Sequence, residues 1–246
     1  MKSRGECALD FVQKETYTME DLLAVMERLR APDGCPWDRE QTHRSIRQCF
    51  LEETYEALEA IDNDDEELLK EELGDVLFQV VFHAQLEKEK GSFSFEDVTD
   101  GVVRKMILRH PHVFGDVSVN GTGDVLRNWD AIKKSSKHQK SQTEVLQSVA
   151  RTLPALMRAQ KLRHKAASTE PFTAQDCLCE AGEALAGLTS LSGRTKEEQK
   201  ALLGQLLFAA AGLADALGVE AEESLTRASD AFLADFAEKE NEKSKT

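Results

Sequence analysis

The chain has 246 residues, enough for one large domain or two modest ones with a real hydrophobic core. Aromatics, Gly and Pro are few while Ala, Leu, Glu and Lys are plentiful, which leans the fold class to all-α. A formal net charge of −14 argues against a nucleic-acid duplex or an anionic membrane as partner. None of the five Cys sits in a CxxC pair, and Cys177 and Cys179 are too close in sequence for a usual structural disulfide. A reduced, cytoplasmic chain is the expectation. The N-terminus lacks the apolar run of a signal peptide, and no apolar stretch is read as long enough to cross a membrane.

Residues 1–17 are polar and expected to be loose. Thr18 with Asp21 forms a capping-box pattern, and Leu22, Leu23, Met26 and Leu29 give helical spacing up to Pro32. Residues 31–41 (APDGCPWDREQ) read as a Pro/Gly-bearing loop carrying Trp37, which either plugs the core or borders a nucleobase pocket. A second helix is predicted over 42–62, with Ile46, Phe50, Leu51, Leu58 and Ile61 as its apolar face. A third is predicted over 65–89, with a broad stripe of Leu69, Leu73, Val76, Leu77, Val80, Val81 and Ala84. Gly74 within it costs about 1 kcal/mol against Ala and suggests a close neighbour. Ser94 and Asp97 cap a fourth helix that ends at Arg109, before His110-Pro111. Residues 110–124 read as a long loop, 125–134 as a fifth helix with Trp129 and Lys133, and 135–144 as a polar linker. Further helices are expected near 153–167, 174–190, 196–217 and 219–240, then a disordered tail, ENEKSKT.

The second and third helices concentrate the chemistry. Glu53 and Glu56 are three residues apart with Glu52 beside them, and Glu72 and Asp75 are three apart on the next helix. Residues three or four apart share a helix face. Antiparallel pairing would aim four carboxylates at one point, where their repulsion calls for a cation; Mg²⁺ and Mn²⁺ prefer oxygen ligands. One Glu-x-x-Glu pair is ordinarily a solvated face. Two pairs on consecutive helices, each beside an apolar stripe, point to a metal site, because burying charge without a partner is costly. A ferritin-type iron site needs Glu-x-x-His on two helices, and the single match, Glu40 with His43, falls at a loop–helix junction. His110 and His112 flank a proline and read as a helix stop. No glycine-rich phosphate loop and no Gly-x-Ser-x-Gly elbow occurs.

The stretch also recurs. Glu53-Thr-Tyr-Glu56-Ala57-Leu58 returns as Glu180-Ala-Gly-Glu183-Ala184-Leu185, and Leu73-Gly74-Asp75-Val76-Leu77-Phe78 as Leu203-Gly204-Gln205-Leu206-Leu207-Phe208. A period of about half the chain indicates duplication of a whole helical unit rather than a solenoid. Glu72 aligns with Leu202 and Asp75 with Gln205, so the second copy has lost half its acids. The domain expectation is 18–134 for the unit with the acidic site and 145–240 for a degenerate copy.

Gly34-Cys35-Pro36-Trp37-Asp38, Gln41-Thr42, Leu51-Glu52-Glu53-Thr54-Tyr55-Glu56, the run Glu72 to Phe82, Arg109-His110-Pro111-His112-Val113-Phe114 and Trp129-Asp130 closely resemble MazG nucleoside triphosphate pyrophosphohydrolases. The match is strong over 19–134 and weak over 145–240. The resemblance implies antiparallel helical bundles assembled as a homodimer, and Mg²⁺-dependent hydrolysis of NTPs or dNTPs to the monophosphate and pyrophosphate. The family's acids fall on Glu52, Glu53, Glu56, Glu72 and Asp75. The last four would hold Mg²⁺ (or Mn²⁺), and Glu52 or Glu53 would help deprotonate a metal-bound water that attacks the α-phosphorus. Lys105, Arg109 and Lys133 are candidates to contact the outer phosphates, and Trp37 or Trp129 to stack on the base. In some two-domain members the C-terminal unit performs the hydrolysis; here it lacks two of the acids, which shifts the expected activity to the first unit. The alternatives are a non-catalytic nucleotide-binding or regulatory dimer, and an interaction protein whose acidic stripes are only surface.

Overall fold

The computed structural model describes residues 13–136, 141–189 and 194–243, which form helices and no strands. The all-α expectation is borne out. The chain divides into two compact units, Met1–Ile132 and Lys133–Thr246. The expectation of looseness over 1–17 falls mostly on residues 1–12, outside the described set.

In the first unit, α1 (Met19–Arg30) starts at a capping box in which Thr18 and Asp21 each satisfy the other's backbone N–H. The 31–41 stretch is not all loop. Pro36–Glu40 forms a short α2, started by a proline whose missing N–H costs nothing at a helix's first position. Next, α3 (Arg47–Asp62) begins five residues later than predicted. Thr42 N–H donates to Ser45 Oγ at 2.8 Å and Ser45 N–H to Thr42 Oγ1 at 3.2 Å, and this reciprocal pair holds a turn instead of a helix. Then come α4 (Glu66–Lys90), closed by the left-handed Gly91, and α5 (Phe95–Arg109), opened by the Ser94/Asp97 capping box. The predicted loop after Arg109 contains α6 (Pro111–Phe114), and α7 (Thr122–Ser136) starts earlier than expected.

Met26, Ile46, Val81, Phe82 and Leu86 form the buried core of this unit, with Leu22, Leu23, Phe78 and Phe95 packed against it. The predicted apolar faces are only partly used. On α3 the buried residues are Ala57 and Ala60, whereas Phe50, Leu51, Leu58 and Ile61 are exposed, as is Leu73 on α4. A Cβ added at Gly74 would meet open space, so the close neighbour expected there is not found.

In the second unit, Gln142–Gln147 forms α8 inside the predicted linker, capped by Ser141; residues 137–140 lie outside the described set. It is followed by α9 (Ala155–Ala166), α10 (Ala174–Thr189), α11 (Lys196–Leu217) and α12 (Ala221–Lys243). The tail expected to be disordered is helical as far as Lys243. The helix α11 corrects the reading on apolar length: it has 22 residues and, by length and composition alone, could cross a membrane. Alanine, leucine and glycine supply most of its apolar length. Ala209, Ala211, Gly212 and Ala214 are its buried positions, and it packs against α9 and α10.

Candidate metal centre

Three residues, Asn63 to Asp65, connect α3 to α4. Asp64 takes a left-handed conformation (φ 53°), and the Asp65 carboxylate accepts from Leu68 N–H at 3.0 Å to start α4. So short a connection makes the two helices antiparallel neighbours. The pairing brings together acids that are distant in sequence. Glu53, Glu56 and Glu72 each offer a carboxylate oxygen, and these oxygens all lie within 4.8 Å of one another. Glu72 is buried, Glu53 half-buried and Glu56 exposed.

The electrostatics of the trio are unfavourable as it stands. The Glu53 carboxyl is pushed above the ordinary carboxylate range, first by burial and then by the negative charges of Asp75, Glu56 and Glu72. Glu72 is raised in the same way, first by burial and then by Glu56, Asp75 and Glu71. Glu72 Oε2 is buried and has no hydrogen-bond partner. Among the described residues, no lysine, arginine or histidine pairs with any of these four acids. Three clustered carboxylates, one of them buried with an orphaned oxygen, are the donor set of a hard divalent cation, and the residues fit one.

Of the other residues singled out in the sequence, Asp75 lies close enough to raise both Glu53 and Glu72, yet is exposed and outside the trio. Glu52 lies outside the trio and accepts from Gln48 Nε2 at 3.2 Å. Trp37, on α2, is 59% exposed, which overturns the core-plug alternative. Arg109 and Trp129 do meet: the guanidinium stands 5.3 Å over the indole, and His110 meets the same ring edge-on at 4.9 Å. Lys105 is exposed on α5 one turn before Arg109, and Lys133 follows Trp129 by one turn on α7.

Further polar residues on α4, given no site role from the sequence, follow the acids along the helix. Gln79, one turn beyond Asp75, is only 7% exposed, and its Oε1 has no partner. Another turn on, His83 stacks on His43 with ring centroids 5.0 Å apart and Nδ1 atoms at 2.7 Å; His43 Nε2 donates to Glu87 Oε1 at 2.5 Å. Lys90 and His43 hold Glu87 down at a pKa of about 2.

The second unit supplies a control within the same chain. Glu180, Glu183, Ala184, Leu202, Gln205 and Phe208 line one groove between α10 and α11. These are the positions that sequence alignment of the repeat pairs with Glu53, Glu56, Ala57, Glu72, Asp75 and Phe78. The charge here is handled differently. Arg163 of α9 reaches Glu180 at 3.0 and 3.3 Å and packs on the Phe172 and Phe208 rings. Its path runs beside Gly212, where a Cβ would come within 2.6 Å of Arg163 Nε. The aligned residue in α4 is the buried Phe82. A guanidinium therefore neutralises one acid in the second unit, and among the described residues the first unit has no counterpart to it at Glu53.

Comparison with known proteins identifies the family. Residues 41–114, which span α3, α4 and α5, match the MazG nucleotide pyrophosphohydrolase domain. The chain is 41% identical over 236 residues to a nucleoside triphosphate pyrophosphohydrolase of Escherichia coli strain K12, covering 90% of this chain and 87% of that one. It is 37% identical over 226 residues to the nucleoside triphosphate pyrophosphohydrolase/pyrophosphatase MazG of Thermotoga maritima, covering 90% and 85%. A crystal structure of a mazG-related protein from Thermotoga maritima aligns with a TM-score of 0.41 at 26% identity, covering 47% of this chain and 98% of that one. With identity of this order along nearly the whole length, and the acids of the matched domain gathered across α3 and α4, the chain belongs to the MazG family.

Proposed function

We propose that this chain is a divalent-metal-dependent nucleoside triphosphate pyrophosphohydrolase whose chemistry resides in residues 18–134, with residues 145–240 a degenerate copy. The observation that carries the proposal is the Glu53–Glu56–Glu72 trio with its orphaned buried oxygen. The relatives' names supply the reaction class. Glu53, Glu56, Glu72 and Asp75 would hold Mg²⁺, or Mn²⁺ in its place. Such an ion, when bound, neutralises phosphate charge and acidifies water.

The side chains do the rest. Glu53 has a raised pKa and would itself be one of the ion's ligands, so it suits the further role of a base that helps take a proton from water attacking the α-phosphorus. Glu52, on the adjoining face of α3, is the second candidate for that role. Lys105, Arg109 and Lys133 would bind the outer phosphates and stabilise the pyrophosphate that leaves. Trp37 and Trp129 are the candidates to stack on the base. With Arg109 already over one face of Trp129, a base would use the other face or displace the guanidinium.

A homodimer is part of the proposal. Phe50, Leu51, Tyr55, Leu58 and Ile61 on α3 and Leu73 on α4 form exposed apolar surface of the kind that a second copy covers. A cytoplasmic location fits the cysteine usage, and a net charge of −14 disfavours nucleic acid as a partner. The test is pyrophosphate release from an NTP and dNTP panel. Mg²⁺-dependent release by the parent, lost in Glu53→Ala/Glu56→Ala, is expected; nucleotide binding without release would instead mark a regulatory protein.

A further inference from the structure

The internal duplication shows which residues are lost together with the acids. Along α4, one polar stripe runs through Glu72, Asp75, Gln79, His83 and Glu87, spaced by about one turn each. The aligned positions in α11 are Leu202, Gln205, Ala209, Leu213 and Leu217. The register is fixed by burial. Val81 and Ala84 are buried as Ala211 and Ala214 are, and Gln79 is buried where Ala209 is. A position that packs well with alanine in one copy therefore carries a buried amide in the other.

A structural role does not account for that amide. Gln79 Oε1 is buried with no partner, and such a group costs stability when left unmade. It is retained only in the copy that also keeps the metal-binding acids. Gln79 lies one helical turn, about 6 Å along the axis, from Asp75. In a nucleotide, the sugar is the group joined directly to the α-phosphate.

We propose that Gln79 is a positioning and specificity residue whose side-chain carbonyl accepts a hydrogen bond from a sugar hydroxyl of the bound nucleotide. The assignment rests on the nucleotide-binding reading of the first unit, but not on hydrolysis. A hydrogen bond to a hydroxyl is worth most where its loss leaves a buried acceptor unpaired, so the contact would discriminate between sugars.

The test is a protein-by-ligand cycle read by calorimetry on the full-length chain with Mg²⁺. Parent, Gln79→Leu and Gln79→Ala are titrated with a nucleoside monophosphate and its 2′-deoxy and 3′-deoxy forms. Alanine is the residue that stands at 209, so it keeps the test open should leucine overfill the site. The parent is expected to bind one of the deoxy forms about tenfold more weakly than the ribonucleotide, and both variants to bind the two alike. Mg²⁺ affinity and thermal unfolding are expected to stay within about twofold and a few degrees of the parent. Equal losses in parent and variants on removing either hydroxyl would overturn the proposal. Because binding is the readout, a chain that binds but releases no pyrophosphate would overturn the hydrolase reading and leave this cycle interpretable.

Discussion

Replacing Glu72 by glutamine separates the two consequences of the acidic trio. The amide is nearly isosteric, so packing against α3 is kept, while one negative charge is removed from the position that raises Glu53 and is itself raised. Without metal, the variant should be at least as stable as the parent at pH 7, since like charges are relieved. With metal, the ranking should invert. Saturating the parent at a hundredfold above the dissociation constant adds about 2.7 kcal/mol to the folded state by mass action. For a domain of this size that corresponds to a rise of roughly 5–15 °C in the unfolding midpoint. Glu72→Gln, having lost the ligand with the orphaned oxygen, should show only a small part of that rise at the same Mg²⁺ or Mn²⁺ concentration. Differential scanning calorimetry on both proteins, with and without the ion, measures all four states. An equal metal-induced rise in parent and variant would refute Glu72 as a ligand. A variant markedly less stable than the metal-free parent would refute the claim that the trio is self-repelling.

Other consequences follow from the same geometry. The raised carboxyls of Glu53 and Glu72 hold more protons when folded than when unfolded, so their penalty is full above the folded pKa and relieved as pH falls toward the ordinary Glu value. Metal-free parent should therefore gain stability relative to Glu72→Gln as pH is lowered from 7 toward about 5 in thermal melts; a difference between the two that does not change with pH would contradict the shift. Glu180→Ala with Glu183→Ala should leave pyrophosphate release within a few-fold of the parent, because Leu202 cannot coordinate and Arg163 already pairs with Glu180; a dead double variant would move the chemistry to the second unit. Met26→Ala, at a fully buried position in the core that α4 shares, should cost about 2–5 kcal/mol in denaturant melts; a loss under about 1 kcal/mol would mean this core is not as packed as it looks.

Much of the site was legible because helical spacing is a local rule. Three-residue spacing placed Glu53 with Glu56 and Glu72 with Asp75, and the short Asn63–Asp65 connection required the antiparallel pairing that brings the two stripes together. The capping boxes at Thr18 and Ser94 were equally local. What was missed depends on long-range packing. The Thr42/Ser45 hydrogen-bond pair competes with helix and delays α3 to Arg47. The exposure of Trp37 depends on how α2 lies against α1, which no spacing rule fixes. Arg163 becomes a counter-ion only because Gly212 stands where α4 has Phe82, a difference that matters once three helices are packed. Nothing local in the sequence sets Gln79 apart; its burial and the alanine at the aligned position 209 do.

The most direct test of the proposed chemistry is hydrolysis of an NTP in ¹⁸O-enriched water with Mg²⁺, analysed by mass spectrometry. Attack at the α-phosphorus, with the proton taken by an acid of the first unit, predicts label in the nucleoside monophosphate, unlabelled pyrophosphate, and no label transfer at all in Glu53→Ala/Glu56→Ala. Label in the pyrophosphate would place attack at the β-phosphorus, and nucleoside diphosphate with orthophosphate as products would contradict the assigned reaction altogether.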